Sequence, residues 1–527
     1  MSAFISKIKE RYNSTSTRTF ILVIFFIGLF IRVVYPDLKL LHHDEAIHAW
    51  FAYQLLTTGT YLYDPLYHGP LLYYLISTAF AIFGDNDVVA RLVPAIAGAL
   101  IIPAIYPLYK FGYVTKNHAV IVALFFALSP DMVYFSRFLR HDIFQLLCTL
   151  LVLVCIFAYL ERKKWYFALF AGIFGALALC LKEDAPAALF IFSSFFIGMW
   201  LLGKVEFPKT WTRDIVIAVF SALAIGYVFY TSFFNHPEAF FDAAQRALEH
   251  WFAMHDECRL CGPPYWYMLL LTVYELPIFI IGLASAFIWV FRKEGLLRVV
   301  KASTDYVNGV IDRYEFKLPY HPFDKKELFF ILCLYWLVGT MALYGYIGEK
   351  VPWLLIHQLL PLLFVSAYVL EELNSKKIII TGVCVAWLII LMVHVTFIPA
   401  ADINEPIVQV QNSEQLRDVM ALMDAADSVA IVSESYWPLP WYYRGDRWDG
   451  INYYAGIIPE SEIYTLDPDL ALAHDDDSYA SLEGYKKETY RLSYWFSGYD
   501  NQKNVLRWFF LRDGPVGSVN IDIFTKE

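Results

Sequence analysis

Residues 20–48 read FILVIFFIGLFIRVVYPDLKLLHHDEAIH, an apolar run that leads directly into a loop of acids and histidines. The apolar part, 20–34, is short for the roughly 30 Å of hydrocarbon in a bilayer. It lacks a small-residue cleavage site, so we expect an uncleaved membrane anchor rather than a signal peptide. Charged groups are costly to hold beside lipid, so this junction predicts a membrane protein with polar chemistry gathered at one surface.

The composition of the 527 residues supports this interpretation. Hydrophobic residues make up 58% and charged residues 17%, whereas soluble domains carry about 25% charged residues. Trp, Tyr and Phe account for 18%, and Trp and Tyr collect at the headgroup level of membranes. The net charge is −10 and no long stripe of Lys and Arg occurs, so we expect no nucleic acid partner.

Ten further apolar runs follow the first, which predicts about eleven transmembrane helices. Residues 70–83 are apolar but short, and we interpret them as an interfacial or re-entrant helix. Lys and Arg recur in alternate loops, so the N-terminus is expected in the cytoplasm and the C-terminal segment outside the cell membrane. The eleven runs are 20–34, 88–109, 119–135, 143–160, 165–181, 185–202, 215–234, 265–291, 328–346, 352–370 and 378–398.

The chain changes character near residue 400. Residues 1–400 carry the apolar runs, with 36–87 as the first outer loop, whereas 401–527 hold shorter runs, turns and acidic stretches. In this second part 414–424 has the periodicity of an amphipathic helix, and 428–433 and 519–524 are typical of strands. The predicted fold is an all-α polytopic membrane domain with outer juxtamembrane helices, followed by a small extracytoplasmic α/β domain.

Charged residues gather in four loops on the predicted outer side. A solvated interfacial loop explains one such cluster, but four on one face favour a functional site, because the cytoplasmic loops are positive without this mixture of acids and bases. A carboxylate there can act as a general base, and His or cationic neighbours can bind phosphate. The clusters are LHHDEAIH at 41–48 with YDPLYHGP at 63–70, SRFLRHD at 136–142, KED at 182–184, and GEKVPW at 348–353 followed by His357.

The order of these motifs resembles the membrane glycosyltransferases of the C superfamily, in particular the branch of dolichyl-phosphate-mannose-protein mannosyltransferases and aminoarabinose transferases. Within that branch the chain is most similar to the archaeal flippase-activity-associated family, which is linked to protein glycosylation. The resemblance covers about residues 20–370. The matching motifs are Asp44-Glu45, His68-Gly-Pro-Leu-Leu-Tyr-Tyr, Gly84, Ala90-Arg91-Leu, Ser-Arg137 with Asp142, and Lys350-Val-Pro-Trp.

This resemblance implies a transferase on the outer face that takes a sugar from a polyprenyl- or dolichyl-phosphate donor and passes it to a glycan or protein acceptor. It implies that Asp44 is the general base and that Glu45 and Asp142 orient the acceptor or the sugar. A single displacement of this kind would invert the anomeric centre. The residues that would bind the substrate or its phosphate are His43, His68, Arg137, Arg140, Lys182, Glu183, Lys350 and His357.

Two groups of residues are candidate ligands for a divalent cation. His42, His43 and Asp44 form one, since some members of the superfamily use a metal and others do not. Cys258 and Cys261 form the other, although a single Cys-x-x-Cys is a weak zinc motif. A disulfide or inert pair is favoured there over a metal, and ordinary loop residues are a further alternative.

Two rival functions and one aromatic segment also stay open. A transporter or flippase component would place ionisable residues near the midplane, often in two matching halves, and the chain shows no repeat. A non-catalytic member that binds lipid-linked glycan for a partner enzyme would keep Asp44. The aromatic segment 437–449 has a composition common where sugars stack, but packing within the small domain or against the membrane is the favoured interpretation.

Overall fold

The structure, a computed structural model, describes residues 12, 14–256, 262–292, 295–313, 317–372, 374–398, 405–495, 505–513 and 517–527. Long apolar helices form the larger part of the molecule, and a five-stranded sheet with short helices lies against one end of them. The predicted fold class, a helical membrane protein with a small C-terminal sheet domain, is therefore confirmed.

The helices of the first 400 residues are numbered in chain order. Two short 3₁₀ turns, Pro65–Tyr67 and Pro352–Leu355, lie between them. The described helices are α1 (Thr17–Val33), α2 (His43–Thr58), α3 (Leu71–Phe83), α4 (Asp87–Ala104), α5 (Tyr106–Lys110), α6 (Lys116–Leu128), α7 (Pro130–Ser136), α8 (Asp142–Arg162), α9 (Trp165–Leu179), α10 (Ala185–Leu201), α11 (Trp211–Tyr230), α12 (Ala239–Asp256), α13 (Trp266–Tyr274), α14 (Leu276–Arg292), α15 (Gly295–Arg313), α16 (Lys325–Tyr346), α17 (Ile356–Leu370) and α18 (Ser375–Phe397).

Membrane crossing can be judged from the length and apolarity of the described helices. Six stretches are long and apolar enough to cross a bilayer, and two bent pairs raise this number to eight. Helices α9 and α10 are apolar but shorter, with 15 and 17 residues, and α1 also has 17 residues. The number of eleven spans therefore stays a prediction. The six stretches are Asp87–Lys110, Asp142–Arg162, Trp211–Tyr230, Lys325–Tyr346, Pro352–Leu370 and Ser375–Phe397.

Two of the predicted spans contain a sharp bend. Helices α6 and α7 meet at 61°, and α13 and α14 meet at 114°. At the first bend Ser129 accepts the N–H of Met132 at 3.2 Å through its hydroxyl oxygen, and Pro130 is the first residue of α7. A hydroxyl cap followed by proline is a common way to start a new helix, so this break is encoded locally although hydropathy does not reveal it.

The C-terminal part is a sheet covered by short helices. Parallel strands β1, β2 and β3 and antiparallel strands β4 and β5 give the order β2-β1-β3-β5-β4. The predicted helix and both predicted strands are present as α19, β1 and β5. The elements are α19 (Leu416–Ala425), β1 (Val429–Val432), α20 (Leu439–Tyr442), α21 (Asp446–Asp449), β2 (Ile451–Tyr454), α22 (Glu460–Leu466), β3 (Leu470–His474), β4 (Tyr485–Tyr494), α23 (Val505–Leu511) and β5 (Ser518–Lys526).

The sheet domain is attached to the first outer loop through α20. The indole N–H of Trp441 donates to Asp87 Oδ1 at 2.7 Å, and the Tyr442 hydroxyl donates to Asp87 Oδ2 at 3.0 Å. Beside them Arg444 Nε is 2.5 Å from Asp85 Oδ2. These bonds hold the C-terminal part against the start of α4. The C-terminal part and the first outer loop therefore contribute to the same surface.

Candidate active site

A cavity of about 340 Å³ lies between the start of α2, the loops before α8 and α10, and the C-terminal part. Its polar lining is dense for a site that borders apolar helices. The ionisable lining residues are His43, Asp44, His48, His68, Arg140, Lys182, Glu183, Asp184, His250 and Glu349. The larger aromatic lining residues are Tyr67, Tyr344, Trp353, Trp437 and Trp495.

The direction of Asp44 is set by the first turn of α2. His42 accepts the N–H of Asp44 at 3.1 Å through Nδ1, and Glu45 accepts the N–H of His42 at 2.9 Å through Oε2. Such reciprocal capping fixes the start of a helix. Asp44 faces the cavity and forms an ion pair with Arg140 Nη1. Burial raises the pKa of Asp44, but the charge of Arg140 together with the neighbouring His42, His43 and His48 holds this pKa below its usual range.

Two cations are held side by side by Asp142, at the start of α8. Its Oδ1 accepts from Lys182 Nζ at 2.6 Å and lies 3.5 Å from His357 Nε2, while its Oδ2 lies 3.5 Å from Arg140 Nε. Arg140 also lies over the Trp353 ring, with Cζ 3.9 Å from the ring centre. Asp142 therefore lies behind the cations and fixes them at the cavity surface, where an anion can reach them.

His68 and Glu183 extend this network. His68 Nε2 lies 3.2 Å from Arg140 Nη2, and its Nδ1 lies 2.8 Å from Glu183 Oε2. Burial, followed by the charge of Lys182, lowers the pKa of His68 to about 3, so the ring is neutral near pH 7. Because Arg140 can only donate, Nδ1 must carry the ring proton and donate to Glu183. Burial raises the pKa of Glu183 to about 7.

Glu45 lies behind the cavity rather than in it. Its carboxylate accepts from Arg91 Nε at 2.9 Å, from Arg91 Nη2 at 2.5 Å and from the Leu139 N–H at 2.9 Å. Arg91 in turn donates to the carbonyl oxygens of Pro36, Lys39 and Leu40. This arrangement ties the first outer loop to α4, and it leaves Glu45 no face toward a substrate.

The chain is similar to known proteins in sequence and in fold. A family model described as dolichyl-phosphate-mannose-protein mannosyltransferase matches residues 67–232, which include His68, Arg140, Asp142, Lys182 and Glu183. The crystal structure of ArnT from Cupriavidus metallidurans bound to undecaprenyl phosphate superposes with a TM-score of 0.57 at 12% identity, covering 96% of this chain and 98% of that one. The chain therefore has the same fold as this ArnT structure.

The oligosaccharyltransferase of Archaeoglobus fulgidus has a similar fold. Its apo structure has a TM-score of 0.57 at 12% identity and covers 88% of this chain and 70% of that one. An uncharacterized protein of Aquifex aeolicus (strain VF5) is 23% identical over 265 residues. This match covers 49% of this chain and 50% of that relative. The narrower similarity to the archaeal flippase-activity-associated family stays a prediction.

Three of the predicted substrate- or phosphate-binding residues, Arg137, Lys350 and His357, lie outside the cavity lining. Arg137 donates to the carbonyl oxygens of Val34 and Tyr35, each at 2.6 Å, just beyond the end of α1. Lys350 donates through Nζ to the carbonyl oxygens of Tyr344 at 2.9 Å and Gly345 at 3.0 Å, and also to Ile347, near the end of α16. Cations favour the carbonyl end of a helix, and that environment explains the positions of Arg137 and Lys350.

Among the described residues, the candidate metal ligands His42, His43 and Asp44 do not converge. His42 is buried, with Nδ1 bonded to the Asp44 N–H and Nε2 lying 3.2 Å from both the Val408 oxygen and the Val410 nitrogen. Neither ring nitrogen is therefore available to an ion. Among the described residues, convergent ligand atoms from three side chains occur at His474, Asp475 and Asp476 in the sheet domain, not at the cavity. Cys258 and Cys261 lie outside the described residues.

Several lining residues were not expected as site residues from the sequence. Asp184 accepts from Gln145 Nε2 and from the Tyr344 hydroxyl, each at 2.8 Å, and its place beside Lys182 and Glu183 in the KED motif was the available signal. His48, one turn beyond Asp44 on α2, could have been found from helical spacing. Sugar stacking was the less favoured interpretation of the segment that begins at Trp437, and nothing in the sequence indicated Trp495; the sheet domain brings both to the cavity.

Proposed function

We propose that this protein is an integral membrane glycosyltransferase that moves a sugar from a polyprenyl- or dolichyl-phosphate donor to a glycan or protein acceptor at the outer surface. The observation that carries the proposal is the single cavity in which Asp44 faces Arg140 and Lys182. A base and two preformed cations within one chamber are what transfer from a phosphate leaving group requires.

In this reaction the acceptor hydroxyl gives its proton to Asp44 as its oxygen attacks the anomeric carbon of the donor. The bond between that carbon and the phosphate oxygen breaks, and the lipid phosphate leaves with the bonding electron pair. Arg140 and Lys182 stabilise the negative charge that develops there, because Asp142 already holds them in place. A single displacement of this kind inverts the anomeric configuration.

Donor binding also activates the base. Without donor, Arg140 pairs with Asp44 and keeps its pKa below the usual range, which makes the carboxylate a weak base. A phosphate that binds Arg140 neutralises the cation, so the pKa of Asp44 rises toward the burial-raised side and its basicity increases. While the ion pair between Asp44 and Arg140 is intact, before the donor binds, Asp44 therefore does not abstract the proton of the acceptor hydroxyl.

The distribution of charge favours an outer location for the cavity. Asp142 lies at the first residue of α8, and Glu161 lies near its last, about 28 Å away along the helix. Around Glu161 basic residues gather: Lys325 Nζ is 2.6 Å from its carboxylate, and Lys116 Nζ donates to the Tyr12 and Thr15 carbonyl oxygens. Basic residues favour the cytoplasmic side, which supports an outer location for the cavity.

The test is sugar transfer by the purified full-length protein from a panel of polyprenyl-phosphate sugars, with wild type and Asp44→Asn side by side. We expect transfer from at least one donor, inversion at the anomeric carbon, and loss of transfer in Asp44→Asn. Binding of donor lipids without transfer from any of them would instead identify a non-catalytic protein that presents lipid-linked sugars to a partner. A product with retained configuration would reject the single displacement.

A further inference from the structure

Two tryptophans of the C-terminal part form one wall of the cavity. Trp495 directly follows β4, and its backbone N–H donates to the Gly517 oxygen at 2.9 Å, which fixes it at the end of the sheet. Trp437 precedes α20, the helix bound to Asp87. Both side chains are half-buried and line the cavity. The sheet domain therefore contributes aromatic surface to a chamber whose opposite side is charged.

The indole N–H groups distinguish these two rings from a structural tryptophan of the same segment. Trp441 is fully buried, and its N–H is bonded to Asp87 at 2.7 Å. Trp437 and Trp495 donate no side-chain hydrogen bond to any of the described residues, although both rings border a polar cavity. A half-exposed ring whose N–H has no partner among the described residues offers an apolar face and a donor at its edge, a combination that suits a ligand with both C–H and hydroxyl groups.

The position of the rings relative to Asp44 indicates which ligand group they meet. The Trp495 ring centre lies 5.5 Å from that of His43, the residue next to Asp44, at an interplanar angle of 83°. Arg140 and Lys182 line the same chamber and are the groups that suit a phosphate. A donor whose anomeric carbon lies near Asp44 and Arg140 must place its sugar ring within a few ångströms of them, in the chamber that Trp437 and Trp495 also line.

We propose that Trp437 and Trp495 form a subsite for the sugar ring of the lipid-phosphate donor, so that the C-terminal part sets sugar preference. The inference rests on the proposed function and names the part of the donor that these residues recognise. The ring faces stack on the C–H groups of a pyranose, and the indole N–H groups donate to its hydroxyls. The cations bind the phosphate, and the two recognition steps are therefore separable.

The test compares two ligands that differ only in the sugar, polyprenyl phosphate and polyprenyl-phosphate-mannose, with other polyprenyl-phosphate hexoses as a panel. Affinities are measured with isotope-labelled lipid on the full-length protein in lipid nanodiscs. We expect Trp437→Ala and Trp495→Ala to weaken binding of the sugar-bearing lipid about five- to tenfold and to leave polyprenyl phosphate binding unchanged. Trp437→Phe and Trp495→Phe should recover part of the loss, because the ring face returns without the N–H.

Trp448→Ala is the matched control, since this ring belongs to the same domain but packs on Tyr436 and Tyr453 away from the cavity lining. Equal losses for both lipids, or none, would overturn the sugar subsite while leaving the phosphate site intact. Wild-type protein that binds the sugar-bearing lipid no better than polyprenyl phosphate would overturn it as well. Wild-type protein that binds neither lipid would reject the proposed function itself, and the subsite with it.

Discussion

Asp44 and Glu45 are neighbours in the chain, yet their surroundings are opposite. The Asp44 side chain is 24% exposed, borders the cavity and has one charged partner, Arg140. The Glu45 side chain is 0% exposed and is saturated by Arg91, by a backbone N–H from Leu139 and by the N–H of His42. On a helix, consecutive residues point in directions about 100° apart, so one turn supplies both a reactive group and an anchor.

The comparison shows how saturation separates the two roles. A carboxylate whose acceptor sites are all occupied within the protein can stabilise the fold, but it cannot take a proton from a substrate. A carboxylate with one displaceable partner keeps the capacity to react, and it depends on its neighbour to stay in position. Substitutions at the two positions should therefore affect different measurements.

The largest expected effect is on catalysis at Asp44. We expect Asp44→Asn to lower the rate of sugar transfer by about 10²- to 10⁴-fold, the usual contribution of a general base. The amide retains the shape and the helix start, so the thermal midpoint should change far less than in Glu45→Gln. Initial rates and thermal unfolding of the same preparations check this, and a variant with normal transfer would remove Asp44 from the reaction.

The next effect is on stability at Glu45. Glu45→Gln leaves Arg91 buried without its counter-charge, which we expect to lower the free energy of unfolding by about 3–5 kcal/mol. The measurement is denaturant or thermal unfolding in detergent. The folded fraction should keep most of its transfer rate. If Glu45→Gln were instead as stable as wild type but inactive, the division between anchor and base would be wrong.

Two arginines offer a similar contrast with a smaller effect. Arg140→Gln should lower transfer by about 10²- to 10³-fold, because it removes preformed stabilisation of the leaving phosphate. It should also move the acidic limb of the pH–rate profile to higher pH, since loss of the Arg140 charge removes the largest influence that opposes the effect of burial on the pKa of Asp44. Arg137→Gln is the control and should leave polyprenyl phosphate affinity unchanged, because its guanidinium is bonded to backbone carbonyls near α1.

The smallest effect concerns Glu183, a buried carboxyl with neutral partners. Its pKa is raised to about 7, so the folded protein takes up this proton at higher pH than the unfolded chain. The resulting stability is present at low pH and is lost as the pH rises through about 7. Wild type should therefore gain up to about 3 kcal/mol between pH 7 and pH 4.5 relative to Glu183→Gln. Parallel slopes of stability against pH in both proteins would contradict the shift.

The sequence indicated more of the fold than of the site. Hydropathy and loop charges were sufficient for the helical membrane domain and the C-terminal sheet, because burial in lipid leaves a strong compositional record. Asp44, His68, Arg140, Lys182 and Glu183 were all expected near one another, and the structure brings them to one cavity. Their roles there stay predictions.

The remaining site features depend on tertiary packing that local pattern does not encode. From the sequence, Arg137 and Lys350 were interpreted as cations available to a phosphate. In the structure Arg137 donates to carbonyl oxygens just beyond the end of α1, and Lys350 donates to carbonyl oxygens near the end of α16. Glu45 could not be separated from Asp44 without knowing which face of α2 meets α4. Trp495 follows β4, and the pairing of β4 with β5 brings it to the cavity. Local sequence around Trp495 does not encode this pairing.

The attachment of α20 to Asp85 and Asp87 has a consequence for the order in which the protein is made. Asp44, Arg140 and Lys182 of the cavity lining are all synthesised by residue 184, but Trp437 and Trp495 follow only near the end of the chain. Until then Asp85 and Asp87 lack the partners that α20 and Arg444 supply in the folded protein. The first outer loop thus supplies the contact surface for a domain that is synthesised more than three hundred residues later.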